Sequence, residues 1–320
     1  MSAINIAVWS SGNHVIRNIL PAIEKSNSVN LVGILTRNQK TLISQSNQYA
    51  CLAYANEDEL LADNKIDAIY IGSPNALHYE HVKKCLLNKK HVIVEKSAVA
   101  NLKEAQSIYK LAQEFNLLVM EGFMFTFHKQ FIELKKLIKS KKYGEVIFVE
   151  ADFGYPHLKK DDIRYSKMLA GGALNDAGAY TISAILNLLG KESELIFSSI
   201  NHHSNYEVDT SGIAILRNKD IKAICKWSMG VSYKNEIKIW CEDGIILTEK
   251  AFSKLDIHNS LIEVSKNGEL RESIDSGQDN HFVKMFDSFT RNINNELFSK
   301  EWNKLLMQSS ILDQIRTFSK

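Results

Sequence analysis

Cysteine is scarce and scattered in this chain. Cys51, Cys85, Cys225 and Cys241 form no C-x-x-C pair and no histidine-paired spacing, which argues against zinc-ribbon and dithiol redox motifs and leaves buried free thiols as the reading. No stretch approaches the roughly 18 to 20 consecutive apolar residues that a bilayer span requires. The first residues do not follow the secretory pattern of a basic segment and then an apolar core, so a reducing cytoplasm is the expected compartment. With three prolines in 320 residues there is no Pro-rich linker, and neither an internal repeat nor a low-complexity tract interrupts the sequence. An excess of one charge sign is missing too, since 39 Lys and Arg oppose 37 Asp and Glu for a formal +2. The densest basic cluster, Lys135 to Lys142, is mixed with Leu and Ile at helical spacing and reads as a solvated helix face. Neither nucleic acid nor a membrane surface is an expected partner, and no metal site is expected.

What is present is a regular alternation. Ile4 to Trp9, Leu31 to Leu35, Ala68 to Ile71, His91 to Val94 and Leu117 to Met120 are strand-like, with amphipathic helical patterns between them. Strict alternation implies right-handed parallel crossovers and a doubly wound sheet. From about residue 145 the pattern changes to Val146 to Phe153, Leu195 to His202, Ser211 to Leu216, Ile221 to Met229, Glu236 to Trp240 and Ile245 to Thr248, with turn signals at Asn218-Lys219-Asp220 and Glu242-Asp243-Gly244. A helix over Asp176 to Leu189 and closing helices over Phe282 to Ile293 and Trp302 to Phe318 complete the reading. The predicted fold class is α/β: a doubly wound parallel sheet in residues 1–122, and a domain built on an open, mostly antiparallel sheet in 123–320. The two are expected to share a cleft, with the last helices returning to the first domain.

The first turn poses a question. After the first strand the chain runs Ser10-Ser11-Gly12-Asn13-His14-Val15, so a G-x-G-x-x-G dinucleotide fingerprint would keep one glycine in three. Gly12 can supply the close backbone approach to a pyrophosphate, and Ser10 is small enough to follow the strand. The second strand adds a stronger signal: no acidic residue occurs between Glu24 and Glu57, and Thr36-Arg37-Asn38 stands where a NAD-selective site places Asp or Glu. Arg37 is either a surface arginine after a strand or the partner of a 2′-phosphate, and the second alternative predicts NADP(H) over NAD(H).

Three further segments carry a resemblance: "IGSPNALHYEHVKKCLLNKKHVIVEKSAVANLKEAQ" (71–106), "MEGFMFTFHKQF" (120–131) and "DDIRYSKMLAGGALNDAGAY" (161–180). They resemble the T/S-P-N-x-x-H turn, the E-K-P turn and the G-G-G-A-L-x-D-x-G-x-H/Y helix start of the Gfo/Idh/MocA oxidoreductases. The motifs look most like the dihydrodiol dehydrogenase and 1,5-anhydrofructose reductase branch. The resemblance implies a Rossmann domain followed by an α/β domain whose open sheet joins copies into a dimer or tetramer. It implies that Ser73, Pro74, Asn75 and His78 line the cofactor, that Glu95 and Lys96 end the strand beneath the nicotinamide, and that Arg164 contacts cofactor or substrate. Asp176 and Tyr180 match the substrate-binding pair. Four positions depart from the pattern: Ser10 and Ala170 replace glycines, Ser97 replaces the proline of E-K-P, and Thr126 replaces an arginine.

Those residue types suit hydride transfer at a secondary alcohol or ketone, where a proton carrier must reach the substrate oxygen. Lys96 can hold that oxygen. Tyr180, whose phenol ordinarily titrates near 10 and becomes more acidic beside an ammonium, can carry the proton. Asp176 can orient substrate hydroxyls or Lys96. The expected function is therefore an NADP-dependent oxidoreductase of sugars, sugar derivatives or cyclic diols. The alternative is a cofactor-binding sensor of the same fold without turnover.

Overall fold

The computed structural model describes residues 2–318. The chain divides into two compact units, Met1–Gly122 with Phe282–Leu306, and Phe123–His281 with Met307–Lys320. Among the described residues no helix is long and apolar enough to cross a membrane.

The first unit contains a six-stranded sheet of β1 (Ile4–Trp9), β2 (Val29–Leu35), β3 (Leu52–Ala53), β4 (Ala68–Ile71), β5 (His91–Val94) and β6 (Val119–Glu121). Its order is β3-β2-β1-β4-β5-β6 and every pairing is parallel, the Rossmann arrangement whose ligand crevice lies beyond the strand ends where the order reverses. The helices are α1 (Leu20–Lys25), α2 (Gln39–Gln48), α3 (Glu57–Ala62), α4 (Asn75–Leu87) and α5 (Leu102–Glu114). Because both faces are covered, β4 and the last three residues of β5 carry a continuous buried run, with Ala68 to Ile71 and Val92 to Val94 fully buried. Asn38, Asn56 and Asn101 each cap a helix by accepting from the backbone N–H three residues on, a contribution of about 1 kcal/mol apiece.

The eroded glycine loop has a structural remedy. A π-helical turn, Val15–Ile19, precedes α1, and Val15 occupies the third glycine position. Room for it comes from Gly72 after β4, where a Cβ would lie 2.4 Å from Val15 Cγ2 and 2.8 Å from the Ser10 carbonyl. The small residue at this contact lies on the facing strand end rather than on the helix. Ser10, at the first glycine position, takes the left-handed φ of 76° that glycine adopts without cost.

The second unit begins with α6 (Lys129–Ser140) and holds an eight-stranded sheet of β7 (Val146–Tyr155), β8 (Glu194–His202), β9 (Asp209–Asn218), β10 (Ile221–Met229), β11 (Lys234–Cys241), β12 (Ile245–Glu249), β13 (Ser260–Lys266) and β14 (Glu269–Gly277), with α7 (Ala179–Leu189) against one face. The pairings are antiparallel except β7 with β10. That exception follows from the long excursion after β7, which frees it from hairpin pairing. The covered face buries Val149, Ala151, Phe153, Ala223, Cys225 and Trp227. The closing helices α8 (His281–Asn294) and α9 (Ser299–Phe318) start one and three residues earlier than the periodicity suggests.

Candidate active site

In the first unit the ends of β1 and β2 and the turn after β4 enclose a cavity of about 300 Å³, lined by Trp9, Ser10, Thr36, Arg37, Ser73 and Pro74 among others. His81 from α4 stacks on Trp9 with ring centroids 4.1 Å apart and accepts or donates at Ser73 Oγ over 3.0 Å. Burial, reinforced by His78, pushes the His81 pKa down to about 4, so the wall is a neutral aromatic pair at physiological pH. Arg37 is exposed at the rim. Ser11 is buried with its hydroxyl lacking a hydrogen-bond partner, and the space above Gly12 is open. An orphaned donor, an unobstructed backbone and a cavity flanked by arginine fit a phosphorylated dinucleotide. Asn13 opens the helical segment and is exposed.

The end of β5 is fastened from several directions. Glu95 accepts from Tyr70 Oη, and His14 Nε2 lies 3.1 Å from Glu95 Oε1. Burial opposes the charge of Glu95, yet His14, Tyr70 and Lys96 outweigh it and hold its pKa near 2. The next residue, Lys96, is half-buried and followed by a cis peptide to Ser97. His78, fully buried on α4, places Nδ1 2.8 Å from the Ser97 carbonyl and Nε2 2.7 Å from the Ser73 carbonyl. One imidazole thus ties the two turns that the sequence assigned to the cofactor. Burial lowers its pKa and the two carbonyls oppose the shift. Glu121 Oε1 accepts from the Ala98 N–H at 2.8 Å on the far side of the turn.

In the second unit a π-helical turn, Leu174–Gly178, starts α7 and carries Asp176. Tyr155 donates to Asp176 Oδ2 at 2.5 Å and Arg164 Nε donates to the same oxygen at 2.9 Å, while Arg164 Nη1 reaches Asp162 Oδ1 at 3.2 Å. The Asp176 charge raises the Arg164 pKa above its already high value, and burial together with Asp176 raises that of Tyr155. The preceding glycines keep this arrangement tight: a Cβ on Gly171 would stand 2.4 Å from the Arg164 carbonyl oxygen. Ala170, the departure from the triple-glycine pattern, adopts φ 55°. Tyr180 is buried, its ring 5.4 to 5.9 Å from Phe153, Phe123, Phe125 and Phe252 and its hydroxyl 3.5 Å from Met124 Sδ. Phe153 and Tyr155 are alternate residues on β7, so Asp176 and Tyr180 are neighbours along one strand face.

Sequence reasoning had singled out Lys96, Asp176, Tyr180 and Arg164 but missed the residues that hold them. Tyr70, Tyr155 and Glu121 come from strands remote in sequence, and no local spacing announces them. The Trp9 and His81 stack is equally a product of the parallel crossover. Arg164, weighed as a cofactor or substrate contact, is bound to Asp176 and Asp162 within the second unit.

The sequence model of the Gfo/Idh/MocA oxidoreductase family, NAD-binding Rossmann fold, matches residues 4–123, and that of the family's C-terminal domain matches residues 131–247. A dTDP-3,4-didehydro-2,6-dideoxy-alpha-D-glucose 3-reductase of Actinomadura kijaniata is 25% identical over 98% of this chain and 95% of its own. A trans-1,2-dihydrobenzene-1,2-diol dehydrogenase of Xenopus laevis is 30% identical over 61% of this chain and 59% of its own. Among solved structures, a 3-ketoreductase from Actinomadura kijaniata in complex with NADP and TDP-benzene superposes with a TM-score of 0.93 at 25% identity, covering 99% of this chain and 98% of that one. Structures of the same protein with one tyrosine replaced by phenylalanine, or one lysine replaced by alanine or glutamate, share the fold. With Rossmann and C-terminal regions both matched, this chain belongs to the Gfo/Idh/MocA family and is an NAD(P)-dependent oxidoreductase.

Proposed function

We propose that the protein transfers a hydride between NADP(H) and the secondary alcohol or ketone of a sugar or sugar derivative, with Lys96 and Tyr180 handling the proton and Asp176 orienting substrate hydroxyls. The observation that carries this reading is the bracing of the Lys96 turn: a buried imidazole on Ser97, a buried carboxyl on Ala98 and the ionised Glu95 beside it. Such bracing suits a side chain that must meet a reacting oxygen reproducibly. When bound, the cofactor supplies or accepts the hydride; Ser10, Ser11, Gly12, Asn13 and His14 would hold its pyrophosphate, and Thr36 and Arg37 its 2′-phosphate. Asn75, at the start of α4 beside Ser73 and Pro74, belongs with the same set.

Further support comes from the 3-ketoreductase, whose two substituted positions are separated by as many residues as Lys96 and Tyr180 are here. The eroded glycine loop lends no support to a sensor without turnover, because Gly72 makes room for Val15 and Ser10 adopts the glycine-like φ. The decisive assay follows nicotinamide absorbance with purified protein against keto- and hydroxy-forms of aldoses, nucleotide sugars, inositols and cyclic diols. Turnover above background with NADPH is expected. Saturable cofactor binding with no turnover across the panel would favour the sensor.

A cytoplasmic homo-oligomer remains part of the proposal. The sheet face opposite α7 exposes Trp240 beside Phe148, next to an ion network of Lys226, Lys234, Glu150, Asp152 and Glu236. A second copy would cover this face, and light scattering reads its presence.

A further inference from the structure

Glu121 braces the Lys96 turn in the reading above, but its charge has no task there. It is the last residue of β6, and its Cα pairs in register with Val94, the residue two before Lys96. Its Oε1 accepts the Ala98 N–H at 2.8 Å, so β6 grips the turn two residues beyond Lys96 while His78 from α4 grips the Ser97 carbonyl between them. The charged groups that face the Glu121 carboxyl are Lys96 and Glu95, both from the end of β5. Burial pushes the carboxyl up to about 7, the Ala98 N–H and Lys96 pull it back, and Glu95 adds to the rise. Glu95, by contrast, is held near 2. Near neutrality Lys96 therefore faces the ionised Glu95 and a Glu121 carboxyl in mid-titration.

We infer that Glu121 is a positioning residue for Lys96: its carboxyl fixes the Lys96–Ala98 turn through the Ala98 amide, and its charge sets the electrostatic field at the lysine ammonium. This rests on the role assigned to Lys96 above. When Glu121 ionises, its charge attracts the Lys96 ammonium and opposes donation of a proton to a substrate oxygen. Carbonyl reduction is then fastest with Glu121 protonated and declines as the pH rises through about 7.

The test compares the parent with Glu121→Gln, which preserves size and acceptor and removes the charge. Parent kcat for carbonyl reduction is expected to fall roughly three- to tenfold between pH 6 and pH 8, whereas Glu121→Gln stays level near the parent's acid-side value, with NADPH affinity unchanged within about twofold. A Gln variant that follows the parent's decline, or a parent that is level across this range, overturns the inference. Glu121→Ala, lacking the acceptor, should lose rate at every pH; if it fails to fold, the Gln variant decides alone. Infrared difference spectra give a readout without turnover: the parent should show a protonated-carboxyl band at pH 5.5 that disappears by pH 8.5 and is absent from Glu121→Gln, and identical spectra for the two proteins would contradict the assignment. Lys96→Met separates the two levels. A Met variant that keeps its turnover overturns the role of Lys96 itself, whereas a Met variant without turnover, beside a Gln variant with the parent's profile, overturns only the role of Glu121.

Discussion

Arg37 stands exposed at the end of β2 on the rim of the cavity, in a stretch without carboxylates. A charge-assisted contact to a 2′-phosphate is worth about 1.5 to 3 kcal/mol. Arg37→Ala should therefore weaken NADPH binding about tenfold or more and leave NADH nearly unchanged; fluorescence titration of both cofactors reads the difference, and equal losses would remove the 2′-phosphate from its role. Tyr155 belongs to the second unit. Tyr155→Phe strips a donor from Asp176 Oδ2, which should cost about 1 to 3 kcal/mol of stability because a part-buried carboxylate loses a hydrogen bond. Urea unfolding measures this, and kinetics should show a raised substrate KM with unaltered cofactor affinity. Glu121 predicts a pH signature. Its folded pKa of about 7 lies above the model-compound 4.5, so the folded state retains a proton that the unfolded chain releases, and stability falls as pH rises from about 4.5 to 7. Glu95 works in the opposite sense, contributing stability above about 4.5 that is lost as pH falls toward 2. Between pH 5 and pH 8 the parent should lose about 2 to 3 kcal/mol more than Glu121→Gln; parallel losses in urea titrations would contradict the buried, protonated carboxyl.

At the scale of elements, the turn between β1 and α1 depends on a small residue that lies outside it. Gly72→Ala would drive a methyl into Val15 and the Ser10 carbonyl, at a cost of about 1 to 3 kcal/mol, and should weaken NADPH binding because the displaced atoms belong to the turn proposed to hold the pyrophosphate. Calorimetry and titration together check this; a Gly72→Ala protein with parental stability would show that the loop relaxes freely. Some of the architecture was legible in advance. The β-branched runs of β1, β4 and β5 and the hairpin turns at Asn218 to Asp220 and Glu242 to Gly244 announce themselves through periodicity and turn chemistry. The hairpin of β13 and β14 went unread although Asn267-Gly268, both with positive φ, joins alternating strands and is a strong turn signal. The two π-helical turns were not legible, because a hydrogen bond reaching one residue further has no compositional mark. Lys96, Asp176 and Tyr180 entered as candidates through the family resemblance of their motifs. Tyr155, Glu121 and the Trp9 and His81 stack did not, since each is defined by a partner that only the folded topology supplies.

For the whole molecule, the near balance of charge and the scattered free thiols, buried at Cys85, Cys225 and Cys241 and half-buried at Cys51, set no particular partner, so function rests on what the two units hold. One unit presents the turn after β1 proposed to hold the pyrophosphate, an arginine-rimmed cavity and a braced lysine turn. The other presents Asp176, gripped by Tyr155 and Arg164, and Tyr180 in an aromatic nest. If both serve one oxidoreductase reaction, cofactor binding and proton transfer must be separable by a single substitution in the first unit. The measurement is NADPH affinity and turnover of Lys96→Met beside the parent, with one substrate accepted by the parent. Affinity should stay within a few-fold while kcat falls by about two to four orders of magnitude; a variant that keeps more than roughly a tenth of the parent rate would contradict the assignment of Lys96 to the proton path.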